Sequence, residues 1–80
     1  MERKEIEEKV RELLIEEIEI DEEKIFPEAR LKDDLGIDSL DFVDIVVLID
    51  KVFGFKIKQE EMKGIVTFSD FCDYVERKIG

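Results

Sequence analysis

One stretch of the sequence, residues 34–53, constrains the fold most because it joins a turn to a long, mostly apolar helix. Gly36 permits a backbone turn that residues with side chains rarely adopt. Asp38 is a favourable N-cap residue, and Asp41 adds negative charge in the first helical turn, where the helix dipole favours it. We therefore expect Ser39 at the exposed N-terminal end of this helix, with its hydroxyl directed outward.

The helix that follows carries apolar residues on two sides. One side has the spacing of a core stripe and comprises Phe42, Ile45, Val46, Ile49 and Phe53. Leu40, Val43 and Val47 fall on roughly the opposite side, among charged residues. Because a chain of 80 residues has little protein left to cover both sides, we interpret the second side as a docking surface.

The turn and helix start resemble the modification site of acyl carrier proteins through one continuous motif, Leu35-Gly-Ile-Asp-Ser-Leu-Asp41. In that family the serine carries a 4′-phosphopantetheine arm, so the resemblance implies that Ser39 is the attachment residue. It also implies that a phosphopantetheinyl transferase loads the arm from coenzyme A. Acyl groups are then held on its thiol as thioesters for separate enzymes, and the chain itself catalyses nothing.

The apolar spacing predicts an all-α fold, a small antiparallel four-helix bundle in one domain over residues 1–80. The third helix is short, and a long loop joins helices one and two, as in the resembling family. Helix one is predicted from residue 2 to about residue 19, and its core stripe comprises Ile6, Val10, Leu13, Leu14 and Ile18.

The predicted loop, residues 19–38, is long for a compact domain, so its apolar residues should pin it to the bundle. These are Ile20, Ile25, Phe26, Leu31, Leu35 and Ile37. Asp21 is expected to cap a short turn that ends at Lys24, and Pro27 prevents a helix from beginning there.

Beyond helix two, the predicted elements are shorter. Gly54 ends that helix as a left-handed cap, and an extended connector leads to one or two helical turns over residues 59–63. Helix four opens with a capping box from Thr67 to Asp70. Its core stripe comprises Phe68, Phe71, Cys72, Val75 and Ile79. Cys72 is interpreted as a small buried hydrophobic residue, and Tyr74 is expected to be half exposed.

The composition limits the classes of partner and of catalytic or metal site that the chain can have. A net charge of −10 disfavours nucleic acid and anionic membranes as partners and predicts partners with basic patches. With no histidine and a single cysteine, the usual imidazole-based catalytic and zinc sites are excluded, so we predict no catalytic residue and no metal ligand. The lone cysteine fits a reducing cytoplasm, and no apolar run is long enough to span a membrane. We expect a monomer.

Two further groups of residues are candidates for function. The predicted docking residues are Asp38, Leu40, Asp41, Val43, Asp44, Val47, Met62 and Ile65, with Asp50 extending the acidic rim. The resemblance also implies that a growing acyl chain is sheltered between the helices. The candidate residues for such a pocket are Val46, Ile49, Phe53, Ile65 and Phe68.

Several functional alternatives stay open on sequence. The acyl carrier can serve fatty acid synthesis or a related polyketide or specialised lipid pathway. Lys51, Lys56, Lys58 and Lys63 weaken an assignment to the main fatty-acid cycle, since family members are often acidic there. A peptidyl or aminoacyl carrier is a close relative, and an unmodified acidic interaction module is a different class. Calcium binding of the EF-hand type is excluded because the required loop spacing is absent.

Overall fold

The first helix, α1, spans Arg3–Glu16 in the computed structural model, which describes residues 2–79. Ile6, Val10, Leu13 and Leu14 are buried as predicted, and Ile18 packs at the edge of the core. The helix ends earlier than the predicted end at about residue 19, and the left-handed backbone of Glu19, with φ of 61°, prevents the helix from continuing past it. The Ile20 amide then donates to the Leu14 carbonyl at 3.0 Å, which turns the chain back toward the core.

The long segment before the second helix is pinned to the core, as predicted. A single 3₁₀ turn covers Glu22–Lys24, although Asp21 makes no side-chain capping bond there. Five of the six predicted anchors are buried, and Ala29 is a further buried residue that sequence reasoning missed. Phe26 is the exception, because its side chain is exposed rather than packed inward.

Backbone hydrogen bonds tie this segment to the start of the last helix. The Leu31 amide donates to the Val66 carbonyl at 2.9 Å, and the Phe68 amide donates to the Ala29 carbonyl at 2.8 Å. One isolated antiparallel bridge pairs Arg30 with Thr67, and residues 2–79 form no strand. The all-α prediction is therefore confirmed, with the loop acting as an additional wall of the bundle.

The remaining helices are α2 over Ser39–Phe53, α3 over Gln59–Met62 and α4 over Phe68–Ile79. Gly54 closes α2 with φ of 80°, in the left-handed region, as predicted.

The predicted capping box of α4 is present. The Asp70 amide donates to Thr67 Oγ1 at 3.1 Å, and the Asp70 carboxylate accepts from the Thr67 and Val66 amides. These amide bonds hold the pKa of Asp70 below its ordinary value.

The aromatic ring of Tyr74 is buried, which corrects the expectation that it would be half exposed. Its exposed fraction is 2%, and the edge of its ring meets Phe55 at a centroid distance of 6.0 Å. Lys78 Nζ lies 5.6 Å from the ring centroid. Within residues 2–79 the hydroxyl has no hydrogen-bond partner, a state that normally costs stability. The connector after α2 thus covers Tyr74, which periodicity within α4 alone does not reveal.

One arginine joins the first and last helices. Arg3 bonds to Glu7 within α1 and to Asp73 in α4, and its guanidinium lies 3.6 Å from Glu76. The same group donates to the Ser69 carbonyl at 3.2 Å. The Asp73 carboxylate is the largest cause of a raised pKa for Arg3. These contacts hold α1 against α4 along one side of the bundle.

Gly54 and Glu19 both have left-handed backbone geometry, so substitutions at these two positions test the cost of backbone strain. We expect Gly54→Ala to lower the free energy of unfolding by about 1 kcal/mol, because an alanine Cβ is strained in this region. No heavy atom lies within 4 Å of the added Cβ, so the effect isolates backbone strain. Glu19→Gly should raise the free energy of unfolding by about 0.5 kcal/mol, since relief of strain exceeds the entropy cost of glycine. Urea unfolding measures both values, and equal destabilisation by the two variants would contradict this account.

Candidate functional site

The start of α2 is held by two aspartates that cap each other's amides. The Asp41 amide donates to Asp38 Oδ1 at 2.9 Å, and the Asp38 amide donates to Asp41 Oδ2 at 3.4 Å. Asp38 has extended backbone geometry, and Gly36 precedes it with φ of 70°. The N-cap role of Asp38 was predicted, whereas the reciprocal bond, in which the Asp41 carboxylate accepts from the Asp38 amide, was missed.

Ser39 is the first residue of α2 and is exposed. Because Asp38 and Asp41 make the capping bonds, the helix start does not require the serine hydroxyl as a cap. This arrangement leaves the hydroxyl at a surface junction between loop and helix, where a second protein can reach it.

One side of α2 is uncovered. Leu40 is 78% exposed, Val43 57% and Val47 52%. Asp38 and Asp44 are also exposed, while Asp41 and Asp50 are half-buried. Grouped apolar side chains with acidic neighbours are typical of an interaction surface. Val52 is a further exposed residue of α2 that the predicted docking set omits.

The opposite side of α2 packs on the core. Ile45 and Ile49 are buried, and Phe42, Val46 and Phe53 are half-buried against them. The predicted core stripe therefore faces inward, although only two of its five members are fully covered.

An open cleft of about 390 Å³ lies between the loop, α2 and the segment around α3. Met62 and Ile65 line it together with Phe42. The other residues along its wall are Arg30, Leu31, Lys32, Asp33 and Val66. The sequence analysis gave Met62 and Ile65 as docking residues and Ile65 also as a pocket candidate, but it assigned Phe42 to the core stripe alone.

Most of the predicted pocket residues lie away from this cleft. Ile65 lines it, whereas Val46, Ile49, Phe53 and Phe68 do not. Ile49 and Phe68 are buried in the core, and Val46 and Phe53 are half-buried at its edge. A helical period identifies a core-facing side, but the position of a gap depends on how the loop and α3 pack over that side.

The rim of the cleft carries charge. Arg30 pairs with Asp33 at 3.6 Å and with Asp34 at 3.3 Å. Hydrogen bonds from the Arg30 amide and side chain hold the pKa of Asp34 below its ordinary value. Across residues 2–79, no cluster of three or more histidine, cysteine or acidic side chains has the arrangement to hold a metal ion.

The single thiol belongs to the core, as predicted. Cys72 is fully buried, and that burial raises its pKa to about 12. Because the thiolate is the nucleophilic form of cysteine, this residue is inert at neutral pH. None of the helices in the described part of the chain is long and apolar enough to cross a membrane.

Comparisons with known proteins show similarity over nearly the whole chain. The family model described as Phosphopantetheine attachment site matches residues 8–75. An acyl carrier protein of Thermotoga maritima is 41% identical over 78 residues, which is 98% of this chain and 96% of that protein. One from Thermosynechococcus vestitus is 35% identical, with 99% and 98% covered. One from Buchnera aphidicola is 37% identical, with 94% of each chain covered.

Measurements of the free energy of unfolding can test whether Asp38, and not Ser39, caps α2. Asp38→Ala should lower the free energy of unfolding by about 1 kcal/mol, because the Asp41 amide loses its acceptor. Asp38→Asn keeps an acceptor and should change stability by less than about 0.5 kcal/mol. Ser39→Ala should be equally mild, since the hydroxyl makes no capping bond. Denaturant titration of the three variants measures these values, and a Ser39→Ala loss as large as that of Asp38→Ala would contradict the assignment.

Proposed function

The chain belongs to the acyl carrier protein family, and from that premise we propose that Ser39 bears the 4′-phosphopantetheine arm. The observation that carries this proposal is the exposed serine at the first position of a helix that two other residues cap. When attached, the arm supplies a thiol that holds acyl groups as thioesters. The family consists of carriers, and we propose that this chain is likewise not an enzyme.

The chain lacks the means to activate Ser39. An alcohol is a weak nucleophile at neutral pH unless a base removes its proton. The sequence contains no histidine, and the neighbouring carboxylates of Asp38 and Asp41 accept hydrogen bonds from backbone amides. A phosphopantetheinyl transferase must therefore deprotonate the serine, whose oxygen forms the phosphodiester as the nucleotide part of coenzyme A leaves.

The electrostatics at Ser39 favour a freely moving arm. A helix N-terminus attracts a phosphate group through its unpaired amides and its dipole. At α2 the aspartate pair already occupies capping amides and adds negative charge beside the serine. A phosphodiester at this position therefore gains less from the helix end, which favours a mobile arm.

We propose that partner enzymes dock on the exposed side of α2. Leu40, Val43 and Val47 form its apolar centre, with Asp38 and Asp44 at its rim. Asp41 and Asp50 extend the acidic rim, and Met62 and Ile65 border the surface at the cleft. Partners with basic patches would be attracted by charge and released quickly, which suits a carrier that must visit several enzymes.

The proposed context is fatty acid synthesis or a related polyketide or specialised lipid pathway. The relatives support an acyl cargo, because each is named as an acyl carrier protein. Lys51, Lys56, Lys58 and Lys63 are exposed in the last turn of α2 and in the segments that follow it, and their positive charge supports a dedicated pathway over the main fatty-acid cycle. We also propose a monomer with one carrier domain over residues 1–80, located in a reducing cytoplasm where Cys72 stays a free thiol.

Loading of Ser39 is tested by intact mass. After incubation with coenzyme A and a broad-specificity phosphopantetheinyl transferase, the chain should gain the mass of one arm. Ser39→Ala should gain nothing while it retains the helical circular dichroism of the parent. A folded parent that gains no mass would contradict the carrier function and favour an unmodified interaction module.

The docking surface is tested by loading kinetics with the same transferase. Val47→Ala should lower kcat/KM about three- to tenfold, because an exposed valine loses its contact with the partner. Asp44→Asn should lower it about two- to fivefold at low salt and less at high salt, as expected for a charge at the rim. Val52→Ala is the matched control, since Val52 is also exposed on α2 but lies outside the proposed surface. Equal losses for Val47→Ala and Val52→Ala would contradict the proposed boundary.

A further inference from the structure

Two apolar cavities in the molecule share part of their walls. The first is the open cleft of about 390 Å³ described above. The second is a void of about 10 Å³ inside the core, lined only by apolar residues. Leu31 and Phe42 line both cavities. The remaining walls of the inner void are Val10, Leu14, Ile37, Ile45 and Phe71.

The two shared residues differ in how firmly they are held. Leu31 is buried, its amide donates to the Val66 carbonyl, and its carbonyl accepts from the Ile37 amide at 3.0 Å. Phe42 is only half-buried, and it lines both the open cleft and the inner void. Leu31 and Phe42 thus form the partition between the two cavities, and Phe42 is the less covered of the two residues.

The partition lies close to the proposed attachment residue. Phe42 follows Ser39 by three positions on α2, so the two side chains lie on neighbouring parts of the same helix surface. A group tethered to Ser39 thus begins about one helical turn from the cleft. The cleft is mainly apolar at Leu31, Met62 and Ile65, which suits an aliphatic chain.

Resting on the carrier function proposed above, we propose that Phe42 sets the length of acyl chain that this protein shelters. The outer cleft takes the first part of an aliphatic chain, and the Phe42 ring separates it from the inner void. Each buried methylene favours the sheltered state roughly fourfold. Sheltering should therefore increase with chain length until the chain end meets Phe42 and then level off.

Two variants of Phe42 should shift this limit in opposite directions. Phe42→Ala removes the ring and joins the two cavities, so longer chains continue to gain protection. Phe42→Trp enlarges the partition, so the limit moves to shorter chains. Ile45→Val is the matched control, because Ile45 lines only the inner void and the change leaves the partition in place.

The experiment uses the full chain loaded with acetyl, butyryl, octanoyl or hexadecanoyl groups, with loading verified by mass. Thioester cleavage by hydroxylamine measures sheltering as a rate for each chain length. Methyl NMR signals of Met62 and Leu14 report on the outer cleft and the inner void separately. In the parent, acyl loading should shift the Met62 signal and leave the Leu14 signal unchanged. In Phe42→Ala, the hexadecanoyl form should shift both signals, and its cleavage should slow at least fourfold relative to the parent.

The possible results test three statements separately, namely loading of Ser39, use of the cleft and the partition at Phe42. Failure to load Ser39 would overturn the proposed function and this inference with it. Loading without any shift of Met62 would overturn use of the cleft while leaving the carrier function intact. A Leu14 shift in the parent, or none in Phe42→Ala, would overturn the partition. If Phe42→Ala does not fold, an unchanged length limit in Phe42→Trp would overturn it as well.

Discussion

The structure depends on a constraint within α2, which has apolar residues on two sides although the chain buries only one of them. Ile45 and Ile49 are covered by the core, while Leu40, Val43 and Val47 remain exposed. Burial of the inner side sets the rotation of the helix, and this rotation decides which side chains face solvent. The exposed position of Ser39 follows from the same packing, because it lies at the end of the helix that the two isoleucines orient.

The two sides of the bundle are held by different means. On one side, Arg3 joins α1 to α4 through several acceptors, and buried residues of both helices pack behind it. On the other side, α2 faces a loop and α3, which is a single turn over Gln59–Met62. A helix this short has little stability of its own and depends on the contacts around it. The open cleft lies on this second side, where the covering elements are shortest.

Local signals in the sequence predicted both ends of α2 and the start of α4, although not the end of α1, because a cap depends mainly on neighbouring residues. Asp38 and Gly54 at the two ends of α2, and the capping box at Asp70, are examples. Features that depend on distant segments were predicted less well. Tyr74 is buried because the connector brings Phe55 onto its ring, and no periodicity within α4 contains that contact.

The candidate site shows the same difference between features set by neighbouring residues and features set by distant segments. The surface position of Ser39 and the uncovered side of α2 agree with the sequence prediction, since both follow from one helix and its cap. The boundary of the cleft was not predictable, because it depends on three separate segments. Leu31 lines it from the long loop, Phe42 from α2 and Ile65 from beyond α3. A helical period specifies which way Phe42 points, but only the packing of those segments decides whether its ring is enclosed or borders a gap.

The aspartate pair at the start of α2 links stability to carrier function. Free amides at a helix start would bind an anion, and a phosphodiester on Ser39 would then be held against the protein. By bonding to each other's amides, Asp38 and Asp41 stabilise the helix and remove part of that attraction. Their negative charges also add to the rim that attracts basic partners. If Ser39 bears the arm as proposed, one interaction serves three requirements of a carrier, which are a firm helix start, an arm held less tightly at its base and an acidic surface beside it.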